Sequence, residues 1–257
     1  MLKHLVAAAL AVPTAYLAFV LVHALATTPL LDSIARMLGS PWAVSGLIDY
    51  SAGLLFSVPY LWLRASTLPA KMGLALGAIV LGNVFTVAAF IWLLLRSDGS
   101  LRTAVLPVRT AFPPIDSTSA SRRTFIGLAL LAFLGYLGFL VYCVQAQSFA
   151  TGWATIQDDA WAYATFIDAW TGQCMVLTYI LVREGRDAKL FAAALTIGLV
   201  FLGNATTCYY LLHLFLLRFP GWHVRDVLLW NDNGANVLLW NNNDVGEEAP
   251  LVPKTYV

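Results

Sequence analysis

Long apolar runs alternate with short polar connections along this chain. Six runs approach or exceed the roughly 20 residues a helix needs to cross the hydrocarbon core of a bilayer: 5–26, 43–63, 70–95, 124–146, 161–182 and 190–217. Lipid offers backbone groups no water to pair with, so runs of this length are predicted as helices. The first run follows Lys3 and His4 and could pass for a signal sequence. It is too long for the usual apolar stretch of one and has a counterpart later in the chain, so it is read as a helix.

The longest polar connection, 96–123, carries Pro107, Pro113, Pro114, a Ser/Thr cluster and five arginines. That composition marks a linker between two units, 1–95 and 124–218. The tail, 219–257, differs again. It contains Val227-Leu228-Leu229-Trp230-Asn231 and then Val237-Leu238-Leu239-Trp240-Asn241, separated by Asn233-Gly234. The runs are too short to span, Asn-Gly signals a hairpin turn, and tryptophan favours the membrane interface. A hairpin or irregular segment lying at that interface is expected.

Composition agrees with the pattern. The 257 residues are 60% hydrophobic and only 11% charged, with a mean hydropathy of +0.74. A soluble domain carries about 25% charged residues. The class is an all-α, multi-pass membrane protein whose first partner is the lipid bilayer. A net charge of +1 gives no reason to expect nucleic acid. The sequence has no phosphate-binding loop, metal motif or dinucleotide fingerprint, so no cofactor or metal is expected. Cys143, Cys174 and Cys208 lie in apolar runs and read as small hydrophobes.

The two units repeat. Trp42, Asp49, Gly53, Tyr60 and Arg64 recur as Trp161, Asp168, Gly172, Tyr179 and Arg183 at a constant offset of 119. Leu81-Gly82-Asn83 and Thr86 recur as Leu202-Gly203-Asn204 and Thr207, and Tyr16-Leu17 as Tyr136-Leu137. Three spans per unit is an odd number, which predicts a second unit entering from the opposite side: a 3+3 inverted repeat. Trp42, Gly53, Tyr60 and Arg64 fall within roughly 60° of Asp49 on a helical wheel, forming one stripe.

Within an inverted bundle, Asp49 and Asp168 are expected at mirrored depths and Asn83 and Asn204 near the middle. A carboxylate inside a span costs roughly 2.5–3.5 kcal/mol on insertion scales and marks a candidate ion, proton or substrate site. The competing reading is a structural hydrogen bond to tyrosine, tryptophan or asparagine. The asparagines read either as part of a central site or as interhelical glue. Arg64 and Arg183 stand at span ends, where snorkelling to the interface accounts for them. Basic residues count nine to six between the faces, which favours extracytoplasmic or lumenal termini.

The second-half blocks carry a resemblance. Phe166-Ile167-Asp168, Tyr179-Ile180-Leu181-Val182-Arg183-Glu184 and Leu202-Gly203-Asn204-Ala205-Thr206-Thr207-Cys208-Tyr209-Tyr210 resemble a plant and algal multi-spanning family defined as a domain of unknown function. More distantly, they are similar to short membrane proteins related to the fungal-type membrane terpene cyclases. The resemblance covers the six runs and not the tail. Arg183-Glu184 fits the family's basic-acidic pair, whereas the first half has Arg64-Ala65. The cyclase resemblance implies acid-initiated chemistry by a membrane carboxyl. Three functions remain open on sequence: small-solute or ion transport, a membrane enzyme acting on a lipid or isoprenoid, and an accessory subunit of a larger complex or homo-oligomer.

Overall fold

A computed structural model describes residues 1–107, 119–220 and 222–229. Among the described residues the chain is helical, with no strand. The elements are α1 (Leu2–Thr27), α2 (Leu30–Leu38), α3 (Pro41–Arg64), α4 (Leu68–Arg96), α5 (Leu101–Val105), α6 (Ala120–Ala146), α7 (Phe149–Asp158), α8 (Ala160–Glu184), α9 (Lys189–Leu202), α10 (Asn204–His213), a π turn (Leu214–Arg218) and α11 (Val224–Leu229). Five helices, α1, α3, α4, α6 and α8, are long and apolar enough to cross a membrane. Their outer faces carry exposed Leu, Val, Phe and Ile. The protein is built to sit in a bilayer.

One of the five does not run straight. Gly82 breaks α4 with φ 64° and ψ −148°, and the arms 68–81 and 83–96 fold back on each other. A Cβ placed on Gly77 would lie 2.5 Å from the Phe85 ring. Eight residues of continuous helix would separate those positions by about 12 Å. The first arm is forced antiparallel to α3 by the short connection after Arg64, and Tyr50 Oη donates to Ala78 O at 3.1 Å. The second arm returns, so that Tyr60 packs on Phe90 with ring centroids 5.8 Å apart. The Lys3 ammonium then reaches the Ser97 carbonyl, placing the start of α1 beside the end of α4.

The last apolar run does the same. It is α9 and α10, joined through Gly203 at φ 57° and ψ −139°. Phe191 packs on His213 with ring centroids 4.6 Å apart, and a Cβ on Gly198 would lie 2.8 Å from Thr206 Oγ1. Those two pairs are the contacts of an antiparallel hairpin. Each arm that climbs to a tip has about 14 residues, or about 21 Å, short of the roughly 30 Å of a bilayer core. The expectation of six spans therefore fails: the third and sixth runs are helical hairpins.

The inverted arrangement fails with it. Gly46 faces Thr165, Gln173 Nε2 donates to Asp49 at 2.9 Å, and Tyr60 and Tyr179 pack at 5.8 Å. Contacts that advance together along both helices mean that α3 and α8 run parallel. α1, α3 and the hairpin return the first unit to the end of the bundle where it began. The second unit then starts from that same end.

Among the described residues the connections sort to two ends. At the α2/α7 end, Trp42 Nε1 donates to Gln147 O at 3.0 Å and Trp161 Nε1 donates to Thr28 O at 2.8 Å. The Asp159 carboxylate caps α8 through the Trp161 and Ala162 N–H groups and pairs with Arg36 at 2.7 Å. Burial pushes that carboxyl up, but the Ser33 hydroxyl, the Ala162 N–H and Arg36 outweigh it and hold it below the usual range. At the opposite, α5/α11 end, Tyr60 Oη donates to Val105 O and Tyr179 Oη to Leu228 O, each at 2.9 Å.

The linker and tail also depart from expectation. Residues 101–105 form a helix, and Val105 and Leu106 are fully buried; 108–118 lie outside the described residues. The first arm of the expected interfacial hairpin is instead the short helix α11, with Val227 and Leu228 at 0% exposure. Arg183 and Tyr179 donate to the Val227 and Leu228 carbonyls, drawing the segment into the core rather than to an interface. The Asn233-Gly234 turn and the second arm lie outside the described residues.

Candidate functional site

The two hairpin tips create a specific chemical demand. A helix starting in the protein interior exposes unpaired backbone N–H groups. At each tip an aspartate from the other half answers it. Asp168, on α8, accepts from Asn83 N–H at 2.8 Å through Oδ1, while Asn83 Nδ2 donates to the Asp168 carbonyl at 2.9 Å. Asp49, on α3, accepts from Asn204 N–H at 2.6 Å, while Asn204 Nδ2 donates to the Asp49 carbonyl at 3.0 Å. Thr86 and Thr207 complete the tips by donating to the two asparagine Oδ1 atoms, each at 2.8 Å.

The repeated glycines allow these approaches. A Cβ on Gly172 would fall 2.6 Å from Asn83, and one on Gly53 would fall 2.9 Å from Asn204. Asp49 and Asp168 are 5% and 7% exposed. Helix N-termini favour a carboxylate electrostatically. Among the described residues neither aspartate has an ion-pair partner.

The structure thus joins Asp49 with Asn204 and Asp168 with Asn83. The aspartates do not lie at mirrored depths. Both sit one-third of the way along parallel helices from the α2/α7 end, level with the asparagines they hold. Tyr60 and Tyr179 are elsewhere, packed together near the α5/α11 end. Arg64 is partly exposed, although its Nη1 is buried without a hydrogen-bond partner. Arg183 is not: it is 1% exposed, bonds the Tyr179 hydroxyl and Val227 O, and lies over the Phe219 ring at 4.9 Å.

Sequence reasoning did not single out Gln173 and Tyr136 as partners of Asp49, and it met Glu184 only through the family resemblance. Gln173 and Tyr136 converge on Asp49, the first donating at 2.9 Å and the second presenting its hydroxyl to the same carboxylate. Glu184, 1% exposed, accepts from Tyr210 Oη at 2.6 Å and pairs with Arg218. The available signal was a glutamine inside a predicted span and a glutamate just beyond its end, each with an apolar residue at the matching first-half position, Leu54 and Ala65.

Among the described residues no group of His, Cys, Asp or Glu is placed to hold a metal ion. Chemically, each tip can hold or release a proton or small cation at a carboxylate. No family model, curated protein or solved structure matches the chain.

Proposed function

We propose that the chain is an integral membrane protein that carries protons or small cations, alone or with a small solute. Its two Asp–Asn tips act as latches. The observation that supports this reading best is the pairing of a buried carboxylate with neutral donors alone, at the tip of a broken helix, once in each half. Ionisable groups inside membranes mark ion pathways, and interrupted helices in corresponding positions of two halves mark carrier sites. The two halves form a duplication whose axis runs along the bundle, with both hairpins re-entrant from one face. A lipid-modifying enzyme needs a carboxyl facing its substrate. The packing of both aspartates against other helices speaks against that alternative.

Orientation follows from charge. With the hairpins folded back, every Lys and Arg among the described residues except Arg36 lies toward the α5/α11 end. The positive-inside rule then assigns that end, with the N-terminus, to the cytoplasmic side, reversing the expectation from six spans. Single cysteines at Ser97 and Asp32, on a background lacking the native cysteines, test this. An impermeant maleimide applied outside should label Asp32→Cys and spare Ser97→Cys; the reverse would overturn the assignment.

For transport, proteoliposomes with a trapped pH-sensitive dye should lose an imposed pH gradient faster than empty vesicles. Asp49→Asn and Asp168→Asn should each remove the excess rate while still eluting as monodisperse protein. Unchanged flux in both variants would discard the reading.

A further inference from the structure

The two tips are not equally satisfied. Asp49 Oδ1 accepts from Asn204 N–H at 2.6 Å, and Oδ2 accepts from Gln173 Nε2 at 2.9 Å and from Asn204 Nδ2 at 3.4 Å. The Tyr136 hydroxyl from α6 covers the same group, and Cys208 of α10 lies close by. At Asp168, Oδ1 has the Asn83 N–H, but Oδ2 has only the 3.4 Å contact with Asn83 Nδ2.

Both missing donors have a structural explanation. The position matching Gln173 is Leu54, which has nothing to donate. The residue matching Tyr136 is Tyr16, and it turns away: it is 46% exposed, and its hydroxyl meets that of Tyr163 at 3.0 Å. Tyr50, from α3, also lies near Asp168, and its hydroxyl is spent on Ala78 O.

Tyr16 also lines two cavities. A cavity of about 410 Å³ at the α2/α7 end is lined by His23, Gln157, Asp158 and Tyr163, and by Tyr16. Tyr16 lines a second cavity of about 270 Å³ with Pro13, Ile167 and Thr171, the last two flanking Asp168 on α8. The two cavities therefore share one side chain, and Asp168 itself lines neither.

We propose that Asp168 is the carboxylate that takes up and releases a proton, and that Asp49 is a fixed helix cap. The proton adds to Oδ2 of Asp168 as an O–H bond and leaves by breaking that bond, with no other covalent change. The ionised form loses stabilisation where donors are missing, so the less satisfied oxygen is the one that exchanges. Only the use made of the proton rests on the transport reading above; its place does not.

Infrared difference spectra of the full-length protein in lipid nanodiscs, recorded over one acid-to-alkaline step, test the assignment. A titrating carboxylic C=O band should be present in wild type and Asp49→Asn and lost in Asp168→Asn. Loss in Asp49→Asn with retention in Asp168→Asn, or no difference between either variant and wild type, would overturn it. Two further variants keep the test open if an Asn variant fails to fold. Leu54→Gln should silence the Asp168 band, and Gln173→Leu should bring out a second band from Asp49; no change in either would also overturn it. A titrating Asp168 without vesicle flux would remove the transport reading and leave this one standing.

Discussion

Gly203→Ala should be the most damaging small substitution in the chain. Gly203 has φ 57° and ψ −139°, a region that essentially glycine alone occupies. A side chain there carries about 1–3 kcal/mol of backbone strain. Its Cβ would also press into Asp49 Oδ1, the acceptor of the Asn204 N–H. Overpacking of that kind adds about 1–3 kcal/mol. Gly82→Ala meets the same problem, with φ 64° and a Cβ 2.8 Å from both oxygens of Asp168. The control is Gly135→Ala, where an added Cβ meets nothing within 4 Å. Thermal unfolding in detergent, followed by fluorescence-detected size exclusion, should put both tip variants far below Gly135→Ala. A tip variant as stable as that control would mean that the hairpin does not turn at these glycines.

Glu184→Ala should cost about 3–5 kcal/mol, the usual result of removing one partner from a buried ion pair. Glu184 takes the Tyr210 hydroxyl on one oxygen and Arg218 on the other, tying the end of α8 to the returning arm of the second hairpin. Without it the Tyr210 hydroxyl is left buried and unpaired, and Arg183 beside it loses its nearest carboxylate. Glu184→Gln keeps an acceptor for Tyr210 and should fall between the two. A melting temperature for Glu184→Ala equal to wild type would place the stabilisation of this end elsewhere.

The helical class and the paired polar residues were legible in the sequence. Apolar runs of this length have one solution in lipid, and Asp49, Asn83, Asp168 and Asn204 stood out as polar groups at repeated positions. The path of the chain was not legible. Residues 70–95 read as one apolar run because both arms of a hairpin bury the same kinds of side chain as a straight helix. The reversal depends on one dihedral pair at Gly82, which hydropathy does not record. Counting that run as a crossing made three spans per unit, and the odd number forced the inverted topology. A Gly-Asn pair splitting both long runs into halves too short to cross was the clue. Which aspartate meets which asparagine was equally hidden, since the partners lie 85 and 155 residues apart. Arg183 was misread for a related reason: its carbonyl partner, Val227, belongs to a tail whose composition suggested the interface.

The exchange of partners between halves has a consequence for synthesis. The first hairpin is made early, but its tip must wait for Asp168, and Asp49 must wait longer still for Asn204. Neither half can finish its own interior. A nascent chain holding only the first two crossings and the first hairpin carries an open helix start and an uncapped carboxylate in the membrane. Its tip closes only when α8 arrives, and α10 closes the site that α3 began.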